Sequence, residues 1–256
     1  DVPQPKQTLV HVHAGNDELG KVYRAELPIN SGMAAFAEAA ADIRVDSSAW
    51  ADSVADDRAE YLAYSTPPTV PGPLQMGEIM TWLNDTLPDD AILTNGAGNY
   101  TIWLHRYFRY RRFHTQLAPT SGSMGYGVPA AVAAKLAHPD RLVIAWSGDG
   151  CFMMTGQELA TAVQHDLAII FIVVNNGMYG TIRMHQEKHY PGRVAATALK
   201  NPDFVALAQA YGAHGERVTD TDQFAPAFAR AQAAGKAALI ELVLDPNVLT
   251  PTLRLS

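Results

Sequence analysis

The chain has 256 residues, 48% of them hydrophobic, with 19 basic against 26 acidic side chains and a formal charge of −7. That balance gives no support for nucleic-acid binding, no apolar run approaches the ~20 residues of a membrane span, and a single cysteine excludes an internal disulfide framework. A cytoplasmic protein without a membrane anchor is the expectation, and the front of the chain shows neither an initiator Met nor a signal-peptide pattern.

In chain order, the first expected strand is Gln7 to His13, followed by a turn at Ala14 to Asp17 and a polar segment to Ile29. His11 and His13 alternate onto one face of it; the spacing admits a metal pair, but polar residues on the wetter face of a half-buried strand explain it more simply. Helical patterns follow at Met33 to Ala41 and Ser48 to Tyr64. The stretch Ser65 to Pro73 then holds four prolines in nine residues and reads as an extended linker. The piece before it, with one convincing strand, is too strand-poor to be a complete α/β domain. Beyond the linker the order becomes regular: helix Leu74 to Leu87, strand Ala91 to Thr94, helix Tyr100 to Tyr107, strand Phe113 to Leu117, helix Gly125 to Leu136 and strand Leu142 to Ser147. Helix Thr155 to His165, strand Ala168 to Val174, helices near Met178 to His185 and Pro202 to Tyr211, strand His214 to Val218, helix Asp222 to Ala234 and strand Ala237 to Val243 complete it. Strands alternating with helices imply an α/β fold, a doubly wound, mostly parallel sheet covered by helices on both faces.

Two polar groups stand at the carboxyl ends of expected strands, the edge of an open α/β sheet where ligands bind. One is Gly148-Asp149-Gly150; the other is Asn175-Asn176. A carboxylate and a carboxamide are hard oxygen ligands suited to Mg²⁺ or Ca²⁺, and a backbone carbonyl just after the second Asn can supply a third. Mg²⁺ completes its shell with water and substrate phosphates, so two or three protein oxygens imply a phosphate-bearing ligand. The N–H groups of Gly150 and Cys151 can point at that phosphate from the start of the next helix, and the flanking glycines let the backbone come close.

GDG followed by Asn-Asn, with the second Asn 27 positions after the Asp, resembles the thiamine diphosphate motif of the acetolactate synthase, pyruvate decarboxylase and benzoylformate decarboxylase family. The resemblance covers nearly the whole chain. It implies that residues 1–64 are the tail of a middle domain, whose last strand is followed by a stretch like Glu18 to Arg24 here, that 65–73 is a linker, and that 74–256 form the thiamine diphosphate-binding domain. It also implies Mg²⁺ held by Asp149, the Asn176 side chain and the Met178 carbonyl. Asn95 to Asn99 match the family's diphosphate loop, with Gly98 and Asn99 as contacts; Gly148, Gly150, Cys151, Tyr179 and Gly180 complete the cofactor set. Thr120 to Gly127 resembles the turn beneath the cofactor's rings, where the Gly122 carbonyl accepts from the aminopyrimidine and Met124 is the apolar wedge that holds the cofactor bent.

Ile182 falls where pyruvate decarboxylases carry an acidic residue, which argues against simple pyruvate decarboxylase. His185 falls where relatives place an aromatic facing the substrate; it is a pocket residue or a surface histidine. Cys151 has no base nearby in sequence and is read as a phosphate-facing backbone position, not a nucleophile. The basic run Arg106, Arg109, Arg111 and Arg112 reads as a subunit contact or a solvated helix end.

The family's catalytic glutamate belongs to an N-terminal pyrimidine-binding domain absent from this sequence, so the chain is expected to be half of an active site that a homodimer or homotetramer assembles. The resemblance implies decarboxylation and carboligation of a 2-keto acid. The alternatives are non-oxidative decarboxylation of a bulkier 2-keto acid or acyl-CoA, and a cofactor-binding fragment without activity.

Overall fold

In the computed structural model, which describes residues 2–255, the first segments to pair are Val10–His13 (β1) and Leu27–Asn30 (β2), parallel and in register from Val10 with Leu27 to His13 with Asn30. β1 is shorter than the expected strand, and β2 is an addition to it. Pro28 hid β2: a proline counts against a strand unless the strand lies at an edge, and here both strands are edges. Helices α1 (Met33–Ala40) and α2 (Ala51–Tyr64) follow, and neither buries a residue. The chain divides into two compact units, Asp1–Ala59 and Glu60–Ser256, and the division falls inside α2.

The second unit carries the regular alternation. Its elements are α3 (Met76–Thr86), β3 (Ile92–Asn95), α4 (Tyr100–Tyr107), β4 (Gln116–Leu117), α5 (Gly127–Ala137), β5 (Val143–Gly148), α6 (Asp149–Thr155) and α7 (Glu158–Gln164). Then come β6 (Ile169–Asn175), α8 (Gly180–His189), α9 (Phe204–Ala210), β7 (His214–Val218), α10 (Phe224–Ala233) and β8 (Ala238–Val243). All six strands are parallel, in the order β4-β3-β5-β6-β8-β7. The doubly wound α/β sheet read from the sequence is therefore the architecture of this unit.

Period-two alternation sorts the strand residues onto two cores. Ile170, Ile172 and Val174 of β6 join Ile144 and Trp146 of β5 on the face covered by α3, α4 and α10, where Trp103, Phe224 and Phe228 are buried. Ile169, Phe171 and Val173 join Val143 and Ala145 on the opposite face, under α5, α7 and α9, with Phe152 and Phe204. Burial on both faces explains why these strands are near-continuous apolar runs.

From β3 the chain goes outward to β4 and then returns past β3 to β5. The carboxyl ends of β3 and β5 therefore flank a topological switch point, where the crevice of such a sheet opens. The start of α5 closes tightly on the end of β3: a Cβ on Gly127 would fall 3.0 Å from Asn95 and Gly96 backbone atoms, and Thr94 Oγ1 donates to the Gly127 carbonyl at 2.6 Å.

Two expected elements differ in ways that matter for the site. The helix expected over Thr155 to His165 is α7, shorter at both ends, and a separate helix, α6, precedes it, starting at Asp149 directly after β5 and parted from α7 at Gly156-Gln157. The strand expected from Phe113 shrinks to Gln116–Leu117, because His114 takes a left-handed conformation (φ 58°) and Phe113 points outward, 87% exposed. α6 is pinned from below by Phe152, fully buried and edge-on to Phe204 with ring centroids 5.7 Å apart. Phe152→Ala is expected to lower stability by about 3–5 kcal/mol, the usual cost of a buried aromatic truncation. Urea denaturation of the variant checks this.

Candidate functional site

The carboxyl ends of β3, β5 and β6 open into a cavity of about 230 Å³. Every cofactor-contact candidate from the sequence lines it: Gly98, Asn99, Gly122, Met124, Gly148, Asp149, Gly150, Cys151, Asn176, Met178, Tyr179 and Gly180, together with Ile182. His185 does not line it; on α8 it stacks on His189, with ring planes 9° apart. Tyr100, Trp103, Thr181, Leu244, Val248 and Leu249 also line the cavity and were not singled out from the sequence. They come from helix faces and the stretch after β8, where apolar residues look like ordinary core.

Asp149 is the first residue of α6 and only 3% exposed. Its Oδ1 accepts from the Gly150 N–H at 2.8 Å, and its Oδ2 accepts from the Gly177 N–H at 2.9 Å and from Asn201 Nδ2 at 2.7 Å. Burial pushes the Asp149 carboxyl above the usual aspartate range, and the bonds from Asn201, Gly150 and Gly177 oppose that shift. Among the described residues no lysine, arginine or histidine pairs with it.

The second polar group sits on a turn made possible by Gly177 (φ 68°). Asn176 Oδ1 accepts from the Met178 N–H at 3.3 Å, and the turn is held by Tyr179 N–H to the Thr197 carbonyl and Leu199 N–H to the Gly177 carbonyl, both 2.8 Å. The Met178 carbonyl has no hydrogen-bond donor among the described residues. Asp149, Asn176 and Met178 line one cavity, and a carboxylate without a cationic partner among the described residues, a carboxamide and a backbone carbonyl are the hard-oxygen groups that could hold Mg²⁺ completed by water and phosphate.

The other loops are tied to this wall. Thr181 Oγ1 donates to Asn99 Oδ1 at 2.9 Å and accepts from the Asn99 N–H at 3.0 Å, clasping the start of α4 to the start of α8. Cys151 is 2% exposed; its sulfur accepts from the Tyr100 hydroxyl and from the Gly125 N–H, each at 3.0 Å. The thiol thus joins α4, α6 and the turn before α5, and no base stands beside it among the described residues. The space at the flanking glycines is used by rings: a Cβ on Gly148 would fall 2.6 Å from Tyr100, and one on Gly150 would fall 2.6 Å from Tyr179.

Sequence features outside the cavity find local partners. Arg106 donates to the Tyr64 carbonyl at 2.6 Å with its guanidinium 3.6 Å over the Tyr64 ring, Arg111 donates to the Asn84 carbonyl and pairs with Asp89, and Arg112 reaches Asp90. His13 Nδ1 accepts from the Gly15 N–H at 3.0 Å, and its ring lies 6.3 Å from that of His11. No helix among the described residues is long and apolar enough to cross a membrane.

A doubly wound parallel sheet whose switch point presents Gly-Asp-Gly on one strand end and Asn-Asn on the next defines a class. Residues 96–242 match the family model of the thiamine pyrophosphate enzyme C-terminal TPP-binding domain, and the chain belongs to that family, whose cofactor is thiamine diphosphate. Among curated proteins it is similar to the acetolactate synthase large subunit of Corynebacterium glutamicum, 32% identical over 247 residues that make up 91% of this chain and 39% of the relative. It is likewise similar to the acetolactate synthase isozyme 2 large subunit of Escherichia coli K12, at 30% identity over 86% of this chain and 40% of the relative. The probable acetolactate synthase large subunit of Methanocaldococcus jannaschii is 28% identical over 96% of this chain and 44% of its own length. The chain thus spans about two fifths of the length of these relatives.

Proposed function

We propose that this chain is the diphosphate- and Mg²⁺-binding part of an acetolactate synthase-like enzyme that decarboxylates a 2-keto acid and joins the product to a second carbonyl compound. The observation that carries the reading is the buried Asp149 carboxylate, without a cationic partner among the described residues, facing the same cavity as Asn176 and Met178. In this reading Asp149, the Asn176 side chain and the Met178 carbonyl hold Mg²⁺. The Gly98-Asn99 loop and the first turn of α6, at Gly150 and Cys151, form the wall that receives the diphosphate, and there the helix dipole favours an anion. Tyr179 and Gly180 close that wall.

Thiamine diphosphate, when bound, supplies the electron sink that decarboxylation and carbon–carbon bond formation require. The chain's own residues bind and orient. Gly122, in a left-handed turn (φ 69°), would offer its carbonyl to the aminopyrimidine, and half-buried Met124 would serve as the apolar wedge that supports the cofactor's conformation. Ile182, 51% exposed at the cavity, offers an apolar surface to the substrate side chain and no proton donor. His185, stacked on His189 outside the cavity, is left without a substrate role in this proposal.

Residues 1–64 are proposed as part of a middle domain. Their exposed apolar side chains support this: Val22, Ile43, Val45 and Val54 are each more than half exposed, surface that another part of such a domain would cover. The glutamate that completes the site is assigned to a pyrimidine-binding domain outside this chain, contributed in a homodimer or homotetramer.

Product analysis of the whole protein with pyruvate, alone and with a second keto acid, tests the reading. Acetolactate or a mixed acyloin supports it; an aldehyde as sole product favours the simple decarboxylase. Met124→Ala is expected to leave cofactor affinity within a few-fold while the turnover number falls, because the wedge acts on the conformation and not on the diphosphate. Parallel calorimetry and steady-state kinetics on the variant check it.

A further inference from the structure

Behind Asp149 stands a set of polar side chains that no motif marks. Asn201, on the segment leading into α9, donates from Nδ2 to Asp149 Oδ2 at 2.7 Å and to Asn175 Oδ1 at 2.9 Å. The Gly177 N–H reaches the same two acceptors, at 2.9 and 3.1 Å. Two donors and two acceptors therefore close a square. Asn175 Nδ2 donates to Glu241 Oε1 at 2.7 Å, and Glu241 Oε2 accepts from Arg217 Nε at 2.7 Å. Arg217 also pairs with Asp203 Oδ1 at 2.8 Å, and Asp203 accepts from the N–H groups of Val205 and Ala206 as the cap of α9. The bonds thus return to the segment that carries Asn201. Glu241 is 3% exposed in the middle of β8, and a carboxylate there is tolerable only when paired and hydrogen-bonded.

A carboxylate offers about four lone-pair directions. On Asp149, Oδ2 uses both of its own, for Gly177 and Asn201, and Oδ1 uses one, for Gly150. Oδ1 is thus the oxygen less occupied by neighbouring residues. We propose that Asn201 is a positioning residue: by saturating Oδ2 it makes Asp149 present a single oxygen, Oδ1, to a divalent cation, and so favours Mg²⁺ over Ca²⁺. Mg²⁺ demands a near-ideal octahedron, whereas Ca²⁺ takes six to eight oxygens and accepts bidentate carboxylates. With Oδ2 tied back, the bidentate arrangement is closed off. The inference rests on the reading of Asp149 as a cation ligand.

The test uses the whole protein and two variants, Asn201→Ala and Asn201→Leu; the second keeps the volume without the donor. Thiamine diphosphate binding is titrated with Mg²⁺ and, separately, with Ca²⁺, and circular dichroism verifies the fold. Mg²⁺ affinity is expected to fall about 10–100-fold, the usual range for loss of a residue that orients a metal ligand, with Ca²⁺ affinity falling less, so that the preference for Mg²⁺ narrows. Variants that keep the wild-type preference, or that lose both cations in equal proportion, overturn the role given to Asn201 while leaving the cation site standing. A wild-type protein that shows no cation-dependent binding removes the cation site and this inference together.

Discussion

Asp149→Ala is expected to abolish Mg²⁺-dependent binding of thiamine diphosphate. Among the described residues the carboxylate is the one charged group lining the cavity, and its bonds to Gly150, Gly177 and Asn201 hold it at the switch point. Removing it takes away the negative ligand that faces the cation and leaves the diphosphate charge unscreened. Losing one partner of a buried charge pair costs about 3–5 kcal/mol, or roughly two to four decades in affinity. Isothermal calorimetry of the folded variant reads this directly. Undiminished affinity would remove the basis for the cofactor reading.

The second large effect concerns the 256-residue chain by itself. It is expected to turn over no 2-keto acid at any cofactor concentration. The cavity is built by one domain, and in the proposed arrangement the pyrimidine end of the cofactor and its glutamate partner belong to another. Without that cover there is no dry pocket in which fixed dipoles act strongly on a developing charge. Exposed Tyr126, Met153 and Met154, next to the site's turns, are surface of the kind a partner domain covers. Purified chain with pyruvate, Mg²⁺ and saturating thiamine diphosphate, followed for CO₂ release, gives the answer. Turnover in the ordinary enzyme range, ~1–10³ per second, would show that the missing group is supplied from within this chain.

Asp149 and Asn176 were legible in the sequence because they stand where an apolar strand stops. Asp149 and Asn176 follow the buried runs of β5 and β6, so their positions at the sheet edge follow from the pattern alone. Asn201 lies 52 residues from Asp149 on an irregular segment, and only the folded arrangement brings it there. Glu241 was hidden for another reason. It sits in the apolar run of β8, and its partners Asn175 and Arg217 come from β6 and β7, neighbours set by a strand order that skips the chain order.

The same contrast holds for the fold. The alternation of helices and strands after the linker was readable because both faces of the sheet are buried and the runs are long. β2 was lost behind Pro28, and α6 was not marked out as an element of its own because it is only seven residues long and opens on Asp149-Gly150, a pair that reads as a turn.

Diffraction from crystals of the protein grown with thiamine diphosphate and Mn²⁺ in place of Mg²⁺ is the most direct measurement. An anomalous peak about 2.0–2.3 Å from Asp149 Oδ1, the Asn176 side-chain oxygen and the Met178 carbonyl, with the diphosphate completing the shell, is the predicted result. Diphosphate density in the cavity with no anomalous peak beside Asp149, or a peak at another group of residues, would contradict the account.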